Sequence, residues 1–178
     1  MDLDTYKNFV AQSYKDFKSN VDTNNFQDII NFVNNLNPNL VIDAGCGDNP
    51  FKNKIKNIIG FDIRNTNECD LVGSFQDMKE HFKIDSADVI LCFDSLGFGL
   101  KEHVIDNINL MKSWIRKDGY IFVIDRSDKG VSAQDRVKYP LRFFYNDSII
   151  QEITDQLNLK FYSKPILNNK KYNWVWTK

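Results

Sequence analysis

The segment Val41-Ile42-Asp43-Ala44-Gly45-Cys46-Gly47-Asp48-Asn49-Pro50-Phe51 constrains the fold of this chain more than any other stretch. An apolar run (Leu40-Val41-Ile42) ends in an acid, Asp43, and turns through Gly45 and Gly47. That order predicts a buried strand feeding a tight turn, where absent side chains let backbone N–H groups approach a ligand closely. A second apolar run, Ile58-Ile59-Gly60-Phe61, also closes on an acid, Asp62. Two neighbouring strands, one ending in a glycine turn and the other in a carboxylate, form the two halves of an adenosine site.

The rest of the chain alternates between two periods. Tyr6, Phe9, Val10, Phe17 and Val21 share one helical face, and Phe26, Ile29, Ile30, Val33 and Leu36 share another, with Thr23 as its expected cap. After the glycine-turn strand come a short helical turn opened by Asp48 or Asn49 with Pro50, the strand 58–62, a weak strand near 70–72 and a helix near 76–82. Residues 89–93 form a buried strand. A long helix over 101–116 ends at Asp118-Gly119, followed by a strand over 120–124 and a last helix capped by Asn146 or Asp147. Segments 160–167 and 172–177 read as a hairpin, which places one antiparallel strand in an otherwise parallel sheet. Pro165 assigns the first of these strands to the sheet edge. The expected fold is therefore α/β: a single doubly wound, mostly parallel seven-stranded sheet with one antiparallel strand. One domain is expected over residues 1–178, with helices in 1–37 and the sheet core in 38–178.

Composition narrows the function by exclusion. A chain of 178 residues with 42% hydrophobic and 13% aromatic residues can bury a core. Its net charge of −1 gives no bulk attraction to nucleic acid or anionic membrane. No apolar run approaches the roughly 20 residues of a membrane helix, and the amino terminus lacks a signal-peptide pattern. The three cysteines, Cys46, Cys69 and Cys92, have no paired spacing and read as reduced thiols, so a cytoplasmic location is expected. No histidine has metal-ligand partners at recognisable spacing, so no metal site is expected.

Two cofactor classes use such a turn. Dinucleotide binders place a third glycine where this chain has Pro50, and an acid at Asp43 fits poorly beside a pyrophosphate. The same acid suits a cationic ligand. Asp43-Ala44-Gly45-Cys46-Gly47 resembles the first motif of the class I (Rossmann-like) S-adenosylmethionine-dependent methyltransferases. The segments 110–124 and 142–159 resemble that family's helix–turn–strand and the lead into its last helix, so the likeness spans about residues 38–178.

The resemblance implies S-adenosylmethionine as methyl donor, with S-adenosylhomocysteine as product. It assigns Gly45, Cys46 and Gly47 to backbone contacts with the cofactor, Asp43 to the methionine end, Asp62 to the ribose hydroxyls and Ile63 to a flank of the adenine. Ser74 and Phe75 follow Gly73, where many relatives carry an acid for the adenine amino group; Gln76, Asp77 or a backbone carbonyl is left for that task. Phe93 and Asp94, with Ser95 and Leu96, leave the fourth strand toward the methyl group. Asp94 and His103 are the candidate general bases, against plain roles in capping a turn and in a solvated helix start.

The stretch 126–142 carries five basic residues (Arg126, Lys129, Arg136, Lys138 and Arg142) against Asp128 and Asp135. It is a solvated loop or a cover suited to an anionic acceptor. Nucleic-acid amino methyltransferases carry Asp-Pro-Pro-Tyr or Asn-Pro-Pro-Tyr after the fourth strand; Asp94-Ser95-Leu96-Gly97 disfavours that class here. The leading expectation is methyl transfer to an O or N nucleophile of a small molecule. The rivals are nicotinamide-dependent oxidation, aminopropyl transfer or cofactor cleavage in the same pocket, a protein or RNA acceptor, and a non-catalytic partner subunit.

Overall fold

Apolar residues on successive strand positions point to opposite faces, so a sheet with runs such as Val41-Ile42 and Val89-Ile90-Leu91-Cys92 must be covered on both sides. The computed structural model describes residues 22–129, 131–132, 142–168 and 170–178, together with Thr5, Asn8 and Gln134. Among these, seven strands form one sheet: β1 (Val41–Ala44), β2 (Ile58–Asp62), β3 (Leu71–Val72), β4 (Ala87–Phe93), β5 (Ile115–Arg126), β6 (Lys160–Asn168) and β7 (Lys171–Thr177). Their spatial order is β3-β2-β1-β4-β5-β7-β6. β7 pairs antiparallel with both β5 and β6, and the other six strands run in one direction. This is the expected doubly wound sheet, and β6, which contains Pro165, lies at its edge.

The two faces have separate cores. Val41, Val89, Leu91 and Phe122 pack with Phe51, Ile55 and the helix α1 (Gln27–Asn35), through Ile30 and Val33. On the opposite face, Ile42, Ile90, Cys92, Ile121 and Val123 meet α2 (Lys101–Trp114) and α3 (Asp147–Gln156). Trp174 and Trp176 share this second face, as their alternation in the sequence predicts, and both are fully buried. The Trp176 indole N–H donates to Thr154 Oγ1 on α3 at 2.8 Å.

Several local expectations are corrected. Asp22 rather than Thr23 caps the second helical segment: its carboxylate accepts the Asn24 N–H, and a 3-10 turn (Thr23–Phe26) precedes α1. No helix follows the glycine turn; Asn49 is left-handed (φ 48°) and residues 50–54 make tight turns. The helix expected near 76–82 is a single 3-10 turn (Asp77–Glu80). The long helix stops at Trp114, and Asp118-Gly119 lies inside β5, where Asp118 (φ 62°) forms an irregularity in the pairing with β4. Asn146 caps α3 as expected, accepting the Ile149 N–H at 2.9 Å. The residues of the first expected helical face, Tyr6, Phe9, Val10, Phe17 and Val21, lie outside the described residues. No helix among the described residues is long and apolar enough to cross a membrane.

The end of the sheet away from the glycine turn is fixed by Asp88. Its carboxylate accepts the N–H groups of Asn39 (2.7 Å) and Leu40 (3.0 Å) and the Nε–H of Arg116 (2.6 Å). Burial opposes ionisation of Asp88, but these donors outweigh it and hold its pKa below the ordinary value. Asp88→Ala strands two backbone donors and should lower unfolding free energy by about 2–4 kcal/mol in denaturant melts. Ligand affinity at the opposite end of the sheet should stay unchanged.

Candidate functional site

The chain reverses direction across the sheet between β1 and β4, and their carboxyl ends therefore open a crevice. The glycine turn leaves β1 there. Gly45 (φ 75°) and Gly47 (φ 58°) both take the left-handed conformation, and the N–H groups of Gly45 and Cys46 converge on the Phe61 carbonyl of β2 at 2.8 and 2.9 Å. A Cβ on Gly45 would stand 2.4 Å from both Cβ and Oγ of Ser95, so the loop after β4 packs directly against the turn. The Ser95 hydroxyl lies 2.8 Å from the Phe93 carbonyl and 3.1 Å from that of Gly45, and donates to one or the other.

Two carboxylates flank the turn in different electrostatic settings. Asp43 is buried on β1, and its Oδ2 has no hydrogen-bond partner among the described residues. Burial, then the nearby Asp62 and Cys69, push its pKa up to about 8. Asp62 is nearly as buried but well supplied with donors. Its Oδ2 accepts the Gly47 N–H at 2.9 Å, and its Oδ1 accepts the Arg64 N–H at 2.8 Å and Nε–H at 3.2 Å. Three of about four acceptor positions on this carboxylate are therefore filled. Thr66 closes the same corner, donating its hydroxyl to the Gly47 carbonyl at 3.1 Å.

The flanking positions differ in what they present. Ile63 is partly exposed beside Asp62. Ser74 and Asp77 bond to each other: Asp77 Oδ2 accepts the Ser74 N–H (2.9 Å) and hydroxyl (2.7 Å). The Phe75 ring turns inward, edge-on to Phe61 and parallel to Trp114. Phe93 stacks on Phe26 and meets Phe51 edge-on.

Beyond β4 the structure assembles a charge cluster only partly legible in the sequence. Asp94 is left-handed (φ 56°), a conformation that aspartate adopts more readily than most non-glycine residues. Its carboxylate pairs with Lys171 of β7 and lies 3.6 Å from the Arg142 guanidinium. Arg142, almost fully buried, bonds Asp125 at 2.7 Å and lies over the Phe98 ring at 4.3 Å. Asp125 at the end of β5 also accepts the Gly97 and Arg126 N–H groups. Burial raises its pKa most, Arg142 works against that, and Asp94 adds to it. A side chain on Gly97 would collide with Asp125 Oδ1 at 2.7 Å and the Phe143 carbonyl at 2.9 Å.

This arrangement places Asp94 within the cluster. His103 is engaged at the start of α2, its Nδ1 accepting the Leu100 N–H at 3.4 Å. Arg142 is neutralised internally by Asp125, which removes one charge from the positive excess expected over 126–142. Arg136, Lys138 and Asp135 lie outside the described residues. Sequence reading passed over Asp125 and Lys171. The signal for Asp125 was present, since it ends the apolar run of β5 as Asp43 and Asp62 end those of β1 and β2. Lys171 carried no signal, because only the hairpin brings it to Asp94. Among the described residues, no group of three or more His, Cys, Asp or Glu side chains is placed to hold a metal.

Two outcomes follow from this geometry. Gly45→Ala meets both the clash with Ser95 and a left-handed backbone, and should lower the melting temperature of the ligand-free protein; Gly45→Ala/Ser95→Gly should recover only part of the loss. The folded protein holds the Asp43 proton up to about pH 8, whereas the unfolded chain releases it near its ordinary value of 3.8. Asp43 thus withdraws stability as pH rises between those values. Asp43→Asn should raise the ligand-free melting temperature, with the gain absent near pH 4 (on the order of the unfolded pKa) and largest above about pH 8.

No protein-family model and no curated protein sequence matches the chain. Solved structures do. Magnesium protoporphyrin IX methyltransferase from Synechocystis PCC 6803 with bound S-adenosylhomocysteine aligns over 97% of this chain and 99% of its own, at 14% identity and TM-score 0.70. An S-adenosylmethionine-dependent methyltransferase from Clostridium acetobutylicum ATCC 824 aligns over 96% of this chain and 98% of its own, at 12% identity and TM-score 0.65. Burkholderia thailandensis 1,6-didemethyltoxoflavin-N1-methyltransferase, bound to 1,6-didemethyltoxoflavin and S-adenosylhomocysteine, aligns over 78% of this chain and 70% of its own, at 13% identity and TM-score 0.61. The six-parallel, one-antiparallel sheet with its terminal hairpin is thus the Rossmann-like fold of the class I S-adenosylmethionine-dependent methyltransferases.

Proposed function

We propose that the chain is an S-adenosylmethionine-dependent methyltransferase acting on a small-molecule O or N nucleophile. The observation that carries this reading is Asp43 Oδ2, a buried carboxylate oxygen without a partner at the base of a glycine turn. Without a ligand this buried carboxyl keeps its proton, and a cationic ligand would stabilise the ionised form in its place. The ammonium group of S-adenosylmethionine supplies that charge, whereas the pyrophosphate of a dinucleotide would worsen it.

The other residues fit the same ligand. Gly45, Cys46 and Gly47 present a turn without bulky side chains, against which the methionine and ribose portions lie. Asp62 keeps one acceptor position open on Oδ2, and the 3.2 Å contact from Arg64 Nε is the weakest of its three bonds. Asp62 would hold the ribose hydroxyls there. Ile63 flanks the adenine. Asp77 is committed to Ser74, so the adenine amino group is left to a backbone carbonyl near Ser74 and Phe75.

When bound, S-adenosylmethionine supplies a methyl group already activated by its sulfonium. The protein's part is alignment and proton handling. Phe93 and Asp94 border the acceptor side. The Asp94 carboxylate, held between Lys171 and Arg142, is fixed to orient an acceptor hydroxyl or amine and to take its proton. His103 is committed to the start of α2, so Asp94 is the stronger of the two base candidates. A small acceptor agrees with the net charge of −1 and with the absence of a base-flipping motif after β4.

Asp62→Ala should weaken S-adenosylmethionine binding by about 1–3 kcal/mol, the scale for losing bonds to a charged acceptor. Calorimetry on a variant shown to be folded checks this, and unchanged affinity sinks the ribose assignment. Incubation with S-adenosylmethionine and a panel of small O and N nucleophiles should release S-adenosylhomocysteine. Methylthioadenosine as the main product would assign the pocket to aminopropyl transfer or cofactor cleavage instead.

A further inference from the structure

Two thiols lie beneath the glycine turn, and the chemistry proposed above uses neither sulfur. Cys46 stands between the two left-handed glycines, and its Sγ is 3.4 Å from Cys69 Sγ, on the segment linking β2 to β3. Both are free. Cys46 is buried, while Cys69 is partly exposed to solvent. Room for the pair comes from Gly60 on β2: a Cβ there would stand 2.9 Å from Cys46 Sγ.

We propose that Cys46 and Cys69 form a reversible thiol–disulfide pair that gates the cofactor turn. A small peroxide oxidises the accessible Cys69 thiol to a sulfenic acid and leaves as water. The Cys46 thiol then attacks that sulfur, the S–S bond forms, and the sulfenic oxygen departs as a second water. The two thiols lose two electrons and two protons, which reduce the peroxide. Excess dithiol reverses the step by exchange.

The surroundings favour this course. Cys69 is the more exposed of the two thiols, so peroxide reaches its sulfur first, and its contact with Cys46 holds its pKa below the ordinary value against burial and the nearby Asp62. Gly45 and Gly47 give the Cys46 backbone the freedom to move toward its partner. Cys46 N–H and Gly45 N–H share the Phe61 carbonyl, so drawing Cys46 toward Cys69 disturbs the same turn that carries Asp43 and meets Ser95. Oxidation is thereby coupled to the cofactor site; this coupling rests on the reading given under Proposed function.

The purified full chain, treated with hydrogen peroxide near stoichiometry, should lose two hydrogens in intact mass. It should yield a linked Cys46–Cys69 peptide, with Cys92 still open to alkylation after unfolding. Affinity for S-adenosylhomocysteine should fall at least tenfold and return with dithiothreitol. Cys69→Ser should form no such link and keep its affinity through peroxide treatment. Full alkylation of Cys46 and Cys69 after peroxide, oxidation to sulfinic acid without a link, or a linked protein of undiminished affinity each overturns the proposal. A reduced protein that fails to bind S-adenosylhomocysteine overturns the cofactor reading and the gating with it, while the mass measurement still decides whether the pair forms.

Discussion

Contact between the glycine turn and the loop after β4 governs the architecture of the site. Gly45 can pass Ser95 only because it has no side chain, and it can turn there only because it tolerates a left-handed backbone. β1 and β4 pair side by side up to Asp43 and Leu91, and the contact seats the loop after β4 on the turn at the point where the sheet reverses its winding. Around it Asp43 is buried, the Gly47 N–H donates to Asp62 and Cys46 lies beside Cys69.

The site divides into halves with opposite electrostatic character. Around β1 and β2, Asp43 is left uncompensated and Asp62 is nearly saturated with donors. Around β4, β5 and β7, positive and negative groups are matched among Asp94, Asp125, Arg142 and Lys171. The first half is built to attract a cation. The second holds its charges in fixed geometry at little net cost to an incoming neutral molecule. This difference suits the cationic methyl donor and small acceptor of the proposed function.

Much of this was legible in the sequence, because the relevant signals are local. Strand runs closed by acids, a turn with two glycines and a hairpin bearing Pro165 each report on their own backbone. The mostly parallel sheet with one antiparallel strand, the edge position of β6 and the shared face of Trp174 and Trp176 followed from them. Helical turns were read less well. Asn49 and Asp118 adopt left-handed conformations that end or interrupt elements, and propensity alone does not announce this at non-glycine positions. Least legible were pairings across long sequence separations. Ser95 against Gly45, Lys171 against Asp94 and Arg142 against Asp125 each depend on assembly of the whole sheet. The inward turn of Phe75 toward Trp114 is of the same kind.

The central claim concerns where a cation rests against Asp43. A crystal structure of the chain grown with S-adenosylhomocysteine tests it most directly, because the ligand keeps the amino group and ribose of the methyl donor. The account predicts the ligand amino nitrogen within hydrogen-bonding distance of Asp43 Oδ2 and the ribose hydroxyls on Asp62. A ligand whose amino group lies elsewhere, or a crevice that stays empty at saturating ligand, would contradict it.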